Sequence, residues 1–216
     1  MNRLALSVLP VLLAVARTTQ TAPPPPVRAI HNQTIVSNDL PAADFTLSGS
    51  FRYVGAQVVT LNAVADAEQH LFVKTAASGS VEVFCWIQFE HYLPGNNYTY
   101  DYKLPGSTDI GGLPFVYDVK SFLDYDQWDA GTDGAAIGSL LAKHNLSFPK
   151  RAVQVRMFHL PAPDRRSELM IIYGEALPDD SKIPTTAKGV DLAEASSDAA
   201  KLFLSHTKQS VSIRKH

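Results

Sequence analysis

The stretch that decides the fold is VEVFCWIQFEHYLPGNNYTYDYKLP, residues Val81 to Pro105. Its first half, Val81–Leu93, is dense in β-branched and aromatic residues and reads as a long strand, and Pro94-Gly95-Asn96-Asn97 reads as a turn. Immediately upstream, Gln69–Thr75 is a second β-rich run. The two are joined through Ala77-Ser78-Gly79, a three-residue loop with glycine in the left-handed position. That loop pairs Ala76 with Ser80. It then sets Lys74 opposite Glu82, Phe72 opposite Phe84 and His70 opposite Trp86 on one face, with Val73–Val83 and Leu71–Cys85 on the other. A shift by one residue would put Lys74 against an apolar partner and mix the faces, so the unshifted register is expected.

Downstream, Tyr98–Lys103 is expected to return as the next strand, in one of two registers. One sets Glu90 opposite Asp101, a repulsive pair unless a cation lies between them. The other, preferred, pairs Tyr92 with Tyr98, Glu90 with Tyr100 and Gln88 with Tyr102, so that phenol hydroxyls satisfy a carboxylate and an amide. One face then carries Leu71, Val73, Val83, Cys85, Ile87 and Phe89, an ordinary core. The other carries His70, Phe72, Phe84, Trp86, Gln88, Glu90, Tyr92, Tyr98, Tyr100 and Tyr102. Neither face is simply solvated, so the second needs a cover: a helix, a partner or a ligand.

The same pattern of short β-rich runs separated by turn residues extends over Asp44–Tyr53, Gln57–Ala63, Pro114–Phe122, Ala152–His159 and Glu168–Leu177. Two segments have helical spacing instead. Gly134–His144 places Ile137, Leu140, Leu141 and His144 on one stripe, with Thr132 or Asp133 to cap its start and Asn145 to end it. Asp191–His206 spaces Leu192, Ala195, Ala199 and Phe203 along a thinner stripe. The expected fold class is α+β: a strongly curved antiparallel meander of seven or eight strands, or an incomplete barrel, with one internal and one C-terminal helix packed on it.

At the N-terminus, Arg3 precedes an apolar run from Leu4 to Ala16 broken only by Ser7 and Pro10, and Ala14-Val15-Ala16 is a small-residue cleavage site; cleavage after Ala22 is the alternative. This is the layout of a secretory signal peptide, and the run is too short to span a bilayer. The expected organisation is a signal peptide over 1–16, a Pro-rich linker and N-terminal loop over 17–43, one α+β domain over 44–208 and a basic tail over 209–216. The expected localisation is export to a periplasm or the exterior, with no membrane span in the mature chain. The single cysteine, Cys85, excludes an internal disulfide and sits where a small buried hydrophobe belongs. Asn32, Asn97 and Asn145 each begin an N-glycosylation tripeptide.

The chain has 216 residues, 45% of them hydrophobic, and a formal net charge of -2, which suits one domain with a sizeable core and argues against a nucleic-acid partner. Asp124–Asp129 fails the calcium-loop template at Trp128 and Ala135, and Ser205-His206-Thr207-Lys208 lacks the companion motifs of a serine–lysine enzyme. No metal or cofactor is expected. Three functions stay open. The leading one is binding of a small, partly apolar ligand on the face centred on Trp86 and Tyr100, by His70, Trp86, Gln88, Glu90, Tyr92, Tyr98, Tyr100 and Tyr102. The second is a cleft hydrolase or isomerase that uses Glu90 with His70 or His91 as an acid–base pair. The third is a structural or partner-binding domain whose aromatic face closes against a helix or another chain.

Overall fold

The computed structural model describes residues 25–216; the expected signal peptide lies outside the described residues. Two long strands anchor the molecule, β5 (Ala65–Thr75) and β6 (Val81–Tyr92), and both are buried along nearly their whole length. The turn between them forms as expected: Ala76 N–H donates to Ser80 O at 2.9 Å, and Gly79 takes φ +88°. Beyond the turn the register departs from expectation. Thr75 pairs with Val81, but Lys74 pairs with Val83, so Glu82 is the extra residue of a bulge. Every later pair is displaced by one: Phe72 faces Cys85, Leu71 faces Trp86, His70 faces Ile87 and Gln69 faces Gln88. Lys74 gives up Glu82 and lies 4.4 Å from the centre of the Phe51 ring. The expected register relied on alternation, which fixes pairing only where one face is wet. Here both faces are dry, and a one-residue slip exchanges one apolar set for another.

The elements around this pair form an α+β fold in which the strands are mostly antiparallel. Strand β4 (Arg52–Leu61) pairs with β5, giving a meander β4-β5-β6. A second meander follows from β8 (Leu113–Phe122), β9 (Ala152–His159) and β10 (Ser167–Ala176). The two meanders are joined by antiparallel pairing of β10 with β6. Short β7 (Gly106–Ile110) and β11 (Val190–Asp191) both pair with β8. The path ends at β4 and β11 and does not close into a barrel. The expected strand Tyr98–Lys103 is absent, because both edges of β6 are already taken. That segment runs as irregular chain, with Arg166 donating to the carbonyls of Leu93, Asn96 and Tyr98, and Arg165 to that of Tyr100.

A second sheet has the order β1 (Ala29–His31), β2 (Thr34–Ser37), β3 (Ala43–Leu47), β12 (Val211–Lys215). It corrects three expectations. The run Asp44–Tyr53 is two strands, β3 and β4, parted at a Ser48–Phe51 turn and placed in different sheets. Ala29–His31, expected within the linker, is a strand, and Thr34–Ser37, expected as loop or a short edge strand, is a strand inside this sheet. The basic tail is a strand as well: Val211 and Ile213 alternate inward and are buried, and Arg214 pairs with Asp44.

Helix α1 (Asp133–Lys143) is capped by Thr132, whose side chain accepts the Ala135 N–H, and Asn145 follows its end at φ +56°. The expected C-terminal helix is two, α2 (Leu192–Ala195) and α3 (Ser197–Ser210), broken at Ser196, and α3 runs one turn past His206. The large sheet lies between two cores. On one face Phe72, Cys85, Ile87 and Phe89 pack under the small sheet and α3, through Phe45, Leu47, Phe203 and Ile213. On the other, Leu71, Val73, Phe84 and Trp86 pack under Ile137, Leu140 and Leu141 of α1 and under Tyr125 and Phe148. The slip at Glu82 therefore exchanges the β5 residues: Leu71 and Val73 join Trp86, while Phe72 and His70 join Cys85.

One contact in the second core is tight. Gly174 lies opposite Phe84 across the β6–β10 pair, and a Cβ at Gly174 would stand 2.0 Å from the Phe84 ring. Gly174→Val is expected to displace that ring and to cost about 1–3 kcal/mol in a urea melt. A midpoint equal to that of the parent would show that the ring does not need this close approach.

Candidate functional site

The exchange of faces decides where the expected site residues lie. His70 is fully buried on the far side of the sheet, where its Nε2 meets Glu68 Oε1 at 2.8 Å and its Nδ1 the Tyr53 hydroxyl at 3.3 Å. Trp86 is 1% exposed under α1, within 6.1 Å of Phe148 and stacked near Phe84, and its indole Nε1 has no protein hydrogen-bond partner. Neither reaches an open cleft. Tyr98 is 56% exposed and leans edge-on against Tyr92 at the rim. Glu90, Tyr92, Tyr100 and Tyr102 do come together, and they line a cleft of about 470 Å³ at the end of the sheet, beside the start of α1.

The tyrosines form a stack. Tyr92 and Tyr100 lie 4.3 Å apart, Tyr100 and Tyr102 6.2 Å, and Tyr102 and Phe158 4.2 Å, all near parallel. Ring faces used against one another leave the hydroxyls and edges for the cleft. The Tyr100 hydroxyl donates to Glu90 Oε1 at 2.8 Å, the contact expected from the sequence, but it arrives over the sheet face and not as a ladder pair. The Tyr102 hydroxyl donates to Glu168 Oε2 and not to Gln88.

Gln88 is completely buried and belongs to a row running across three strands. Gln57 Nε2 donates to Gln69 Oε1 at 2.9 Å, Gln69 Nε2 to Gln88 Oε1 at 2.7 Å, and Gln88 Nε2 to Glu90 Oε2 at 2.6 Å. The row is tied to α1, since Gln57 Nε2 also donates to the Ala136 carbonyl at 2.9 Å. Gln69 and Gln88 each accept on the amide oxygen from the glutamine before them, so the chain of donors points one way and ends on a carboxylate. Glu90 thus accepts from Gln88 on one oxygen and from Tyr100 on the other.

Glu168 is the main residue the sequence reading passed over. It stands directly opposite Glu90 in the β6–β10 ladder, 3% exposed. Burial raises the pKa of both carboxyls. That of Glu168 is pushed up to about 8, by burial first and by the neighbouring Glu90 charge second. Two buried carboxyls side by side do not both ionise cheaply, so the pair holds one proton more tightly than free carboxyls do. Burial also raises Asp133, which lines the cleft from the first turn of α1. The one cation at this wall, Arg156, is already held by both oxygens of Asp118. The cleft is therefore acidic.

Signals for these residues were faint. Glu168 stands at the start of the apolar run Leu169–Ile172, and Gln57, Gln69 and Gln88 are polar residues inside β-rich runs. The local hairpin makes the strands of Gln69 and Gln88 neighbours, but nothing local places the strand of Glu168 beside them. No histidine lines the cleft among the described residues, and none of their His, Cys, Asp and Glu groups is arranged to hold a metal. No described helix is long and apolar enough to cross a membrane. Comparison with protein-family models, with curated proteins and with solved structures finds no match to this chain.

Proposed function

We propose that this is an exported protein whose acidic cleft binds a small, partly apolar ligand that presents hydrogen-bond donors or a cationic group to Glu90 and Glu168. The single observation that carries this reading is the cross-strand carboxyl pair, each member held by its own tyrosine hydroxyl at the foot of an open cleft. The concave form, the apolar walls of Tyr92, Phe158 and Met170 and a few converging polar groups fit a small-molecule site. Export is supported by the N-terminal sequence, with its charged start, apolar run and small-residue cleavage site. Trp86 and His70 drop out of the ligand-binding set, because one is covered by α1 and the other faces the opposite core.

The test is calorimetric titration with a panel of small arylamines, alkylamines and polyols. A binder is expected to lose roughly ten- to a hundred-fold in affinity in Glu90→Gln, because a charge-assisted hydrogen bond contributes about 1.5–3 kcal/mol. Binding that ignores this substitution would sink the assignment.

A second reading, acid–base catalysis in the same cleft, is favoured by one observation: two carboxyls directly opposite each other in the ladder, both raised by burial, so that one can hold a proton beside another that ionises. It replaces the expected Glu90–His pair with Glu168 as proton donor and Glu90 as acceptor. Its mark would be turnover of a bound compound that Glu168→Gln abolishes while binding persists.

A further inference from the structure

The second face of the large sheet is covered unevenly. Helix α1 and its flanking segments cover Trp86 and Phe84, but towards the β8–β9 edge the cover thins. There Lys120 pairs across the ladder with Gln154, and Asp118 with Arg156. Lys120, Gln154 and Arg156, with Phe122, Trp128, Asp133 and Lys188, border a pocket of about 240 Å³. That is roughly eight times the liquid volume of one water, enough for a polyatomic ion and part of an organic body.

The charges in this pocket are not balanced from within. Arg156 is answered by Asp118 through two hydrogen bonds. Lys120 and Lys188 have no ion-pair or hydrogen-bond partner for their ammonium groups among the described residues. The one acid in the lining, Asp133, already accepts the Gly134 N–H at 2.7 Å at the start of α1, and it makes no ion pair with either lysine. The wall between the lysines is rigid. Trp128 Nε1 donates to the Tyr125 carbonyl at 2.7 Å, and its ring lies so close over Gly134 that a Cβ there would stand 2.2 Å from it. Two ammonium groups, a guanidinium held by Asp118 and a buried amide around one hollow form a donor set with one charged acceptor, which is the chemistry that holds an oxyanion.

We propose that this pocket binds an oxyanion: the carboxylate, sulfate or phosphate group of a small ligand. Asp133 and Arg156 line both this pocket and the acidic cleft, so the two hollows meet at a common wall. A ligand with a cationic or donor-rich end on Glu90–Glu168 and an oxyanion on Lys120–Lys188 spans them, an extension that rests on the function proposed above. The oxyanion pocket itself stands on its own residues.

The test uses inorganic sulfate as probe, titrated at low ionic strength against sodium chloride of matched ionic strength, with tryptophan fluorescence as the readout. Trp128→Phe, which leaves Trp86, identifies the reporting ring. The expected result is a saturable sulfate response that chloride does not reproduce, carried by Trp128 and weakened about ten-fold or more in both Lys120→Gln and Lys188→Gln. Lys143→Gln, at the far end of α1, controls for general loss of positive charge and is expected to leave the response intact. A response that chloride reproduces, or that both pocket variants retain, overturns the proposal. Sulfate binding by a protein whose amine and polyol titrations show no dependence on Glu90 would keep the pocket and remove the cleft ligand. Dependence on Glu90 with no sulfate response would do the reverse.

Discussion

Replacing Arg28 with methionine is expected to cost about 3–5 kcal/mol of stability, the loss seen when one partner of a buried ion pair is removed. Arg28 enters just before β1 and lays its guanidinium 3.6 Å from the centre of the Phe89 ring. Its NH1 meets Glu68 Oε2 at 2.9 Å, and its backbone N–H meets Glu68 Oε1 at 2.9 Å. Glu68, 6% exposed, also holds the buried His70. Burial alone would raise the Glu68 pKa. The His70 hydrogen bond and the backbone N–H and charge of Arg28 outweigh it, and hold the carboxyl down at about 2. Its contribution is present above the unfolded carboxyl value of about 4.3 and is lost as the pH falls towards 2. Without the Arg28 side chain a charge is left in the core with no cation on Glu68 Oε2, held only by the backbone N–H of residue 28 and by His70. The double variant Arg28→Met, Glu68→Gln should therefore lose less than Arg28→Met alone in urea melts. A single-variant loss under about 1 kcal/mol would instead place this pair with exposed ion pairs.

Glu168→Gln should reshape the alkaline side of the stability curve. A carboxyl raised to about 8 in the folded chain keeps its proton where the unfolded chain, titrating near 4.3, has released it. More protons are bound folded than unfolded between those values, so stability falls as pH rises through that window and levels off above it. The slope for one proton is about 1.4 kcal/mol per pH unit at most. Glutamine keeps an acceptor for the Tyr102 hydroxyl and carries no titrating proton. The variant should match the parent near pH 4 and exceed it increasingly up to pH 8, read as melting temperature against pH. Parallel curves for the two proteins would mean that Glu168 does not titrate in that window. The raised pKa values of Glu90 and Asp133 act in the same direction and remain in the variant, so the alkaline decline is reduced and not removed.

These two predictions fall on opposite faces of one sheet, whereas the sequence places His70, which Glu68 holds, on the face of Glu90. Residues 69–75 and 81–93 as neighbouring strands, the turn at Ala77-Ser78-Gly79 and the start of α1 at Thr132 and Asp133 follow from local chemistry: β-branched and aromatic density, a left-handed glycine, a capping hydroxyl. The sorting of side chains between faces did not follow. Pairs such as Lys74–Glu82 favour the unshifted register, and the Glu82 bulge instead sets His70 opposite Ile87, on the face away from Trp86. The Tyr98–Lys103 segment had the composition of a strand, yet β10 took the edge of β6 that it would have needed.

What the sequence by itself determined is therefore the class of the protein and one end of its site. The α+β composition, the strands around Val81–Leu93, the internal helix and the convergence of Glu90 with Tyr100 were legible in residues close together along the chain. Only the tertiary structure decided that Glu168, seventy-eight positions beyond Glu90 in the numbering, completes the carboxyl pair, that three glutamines line up behind it, and that Trp86 is core. Alternation reports faces only when one of them meets water. A sheet buried on both sides carries no such label, so its pairing is set by the packing of the two cores it separates.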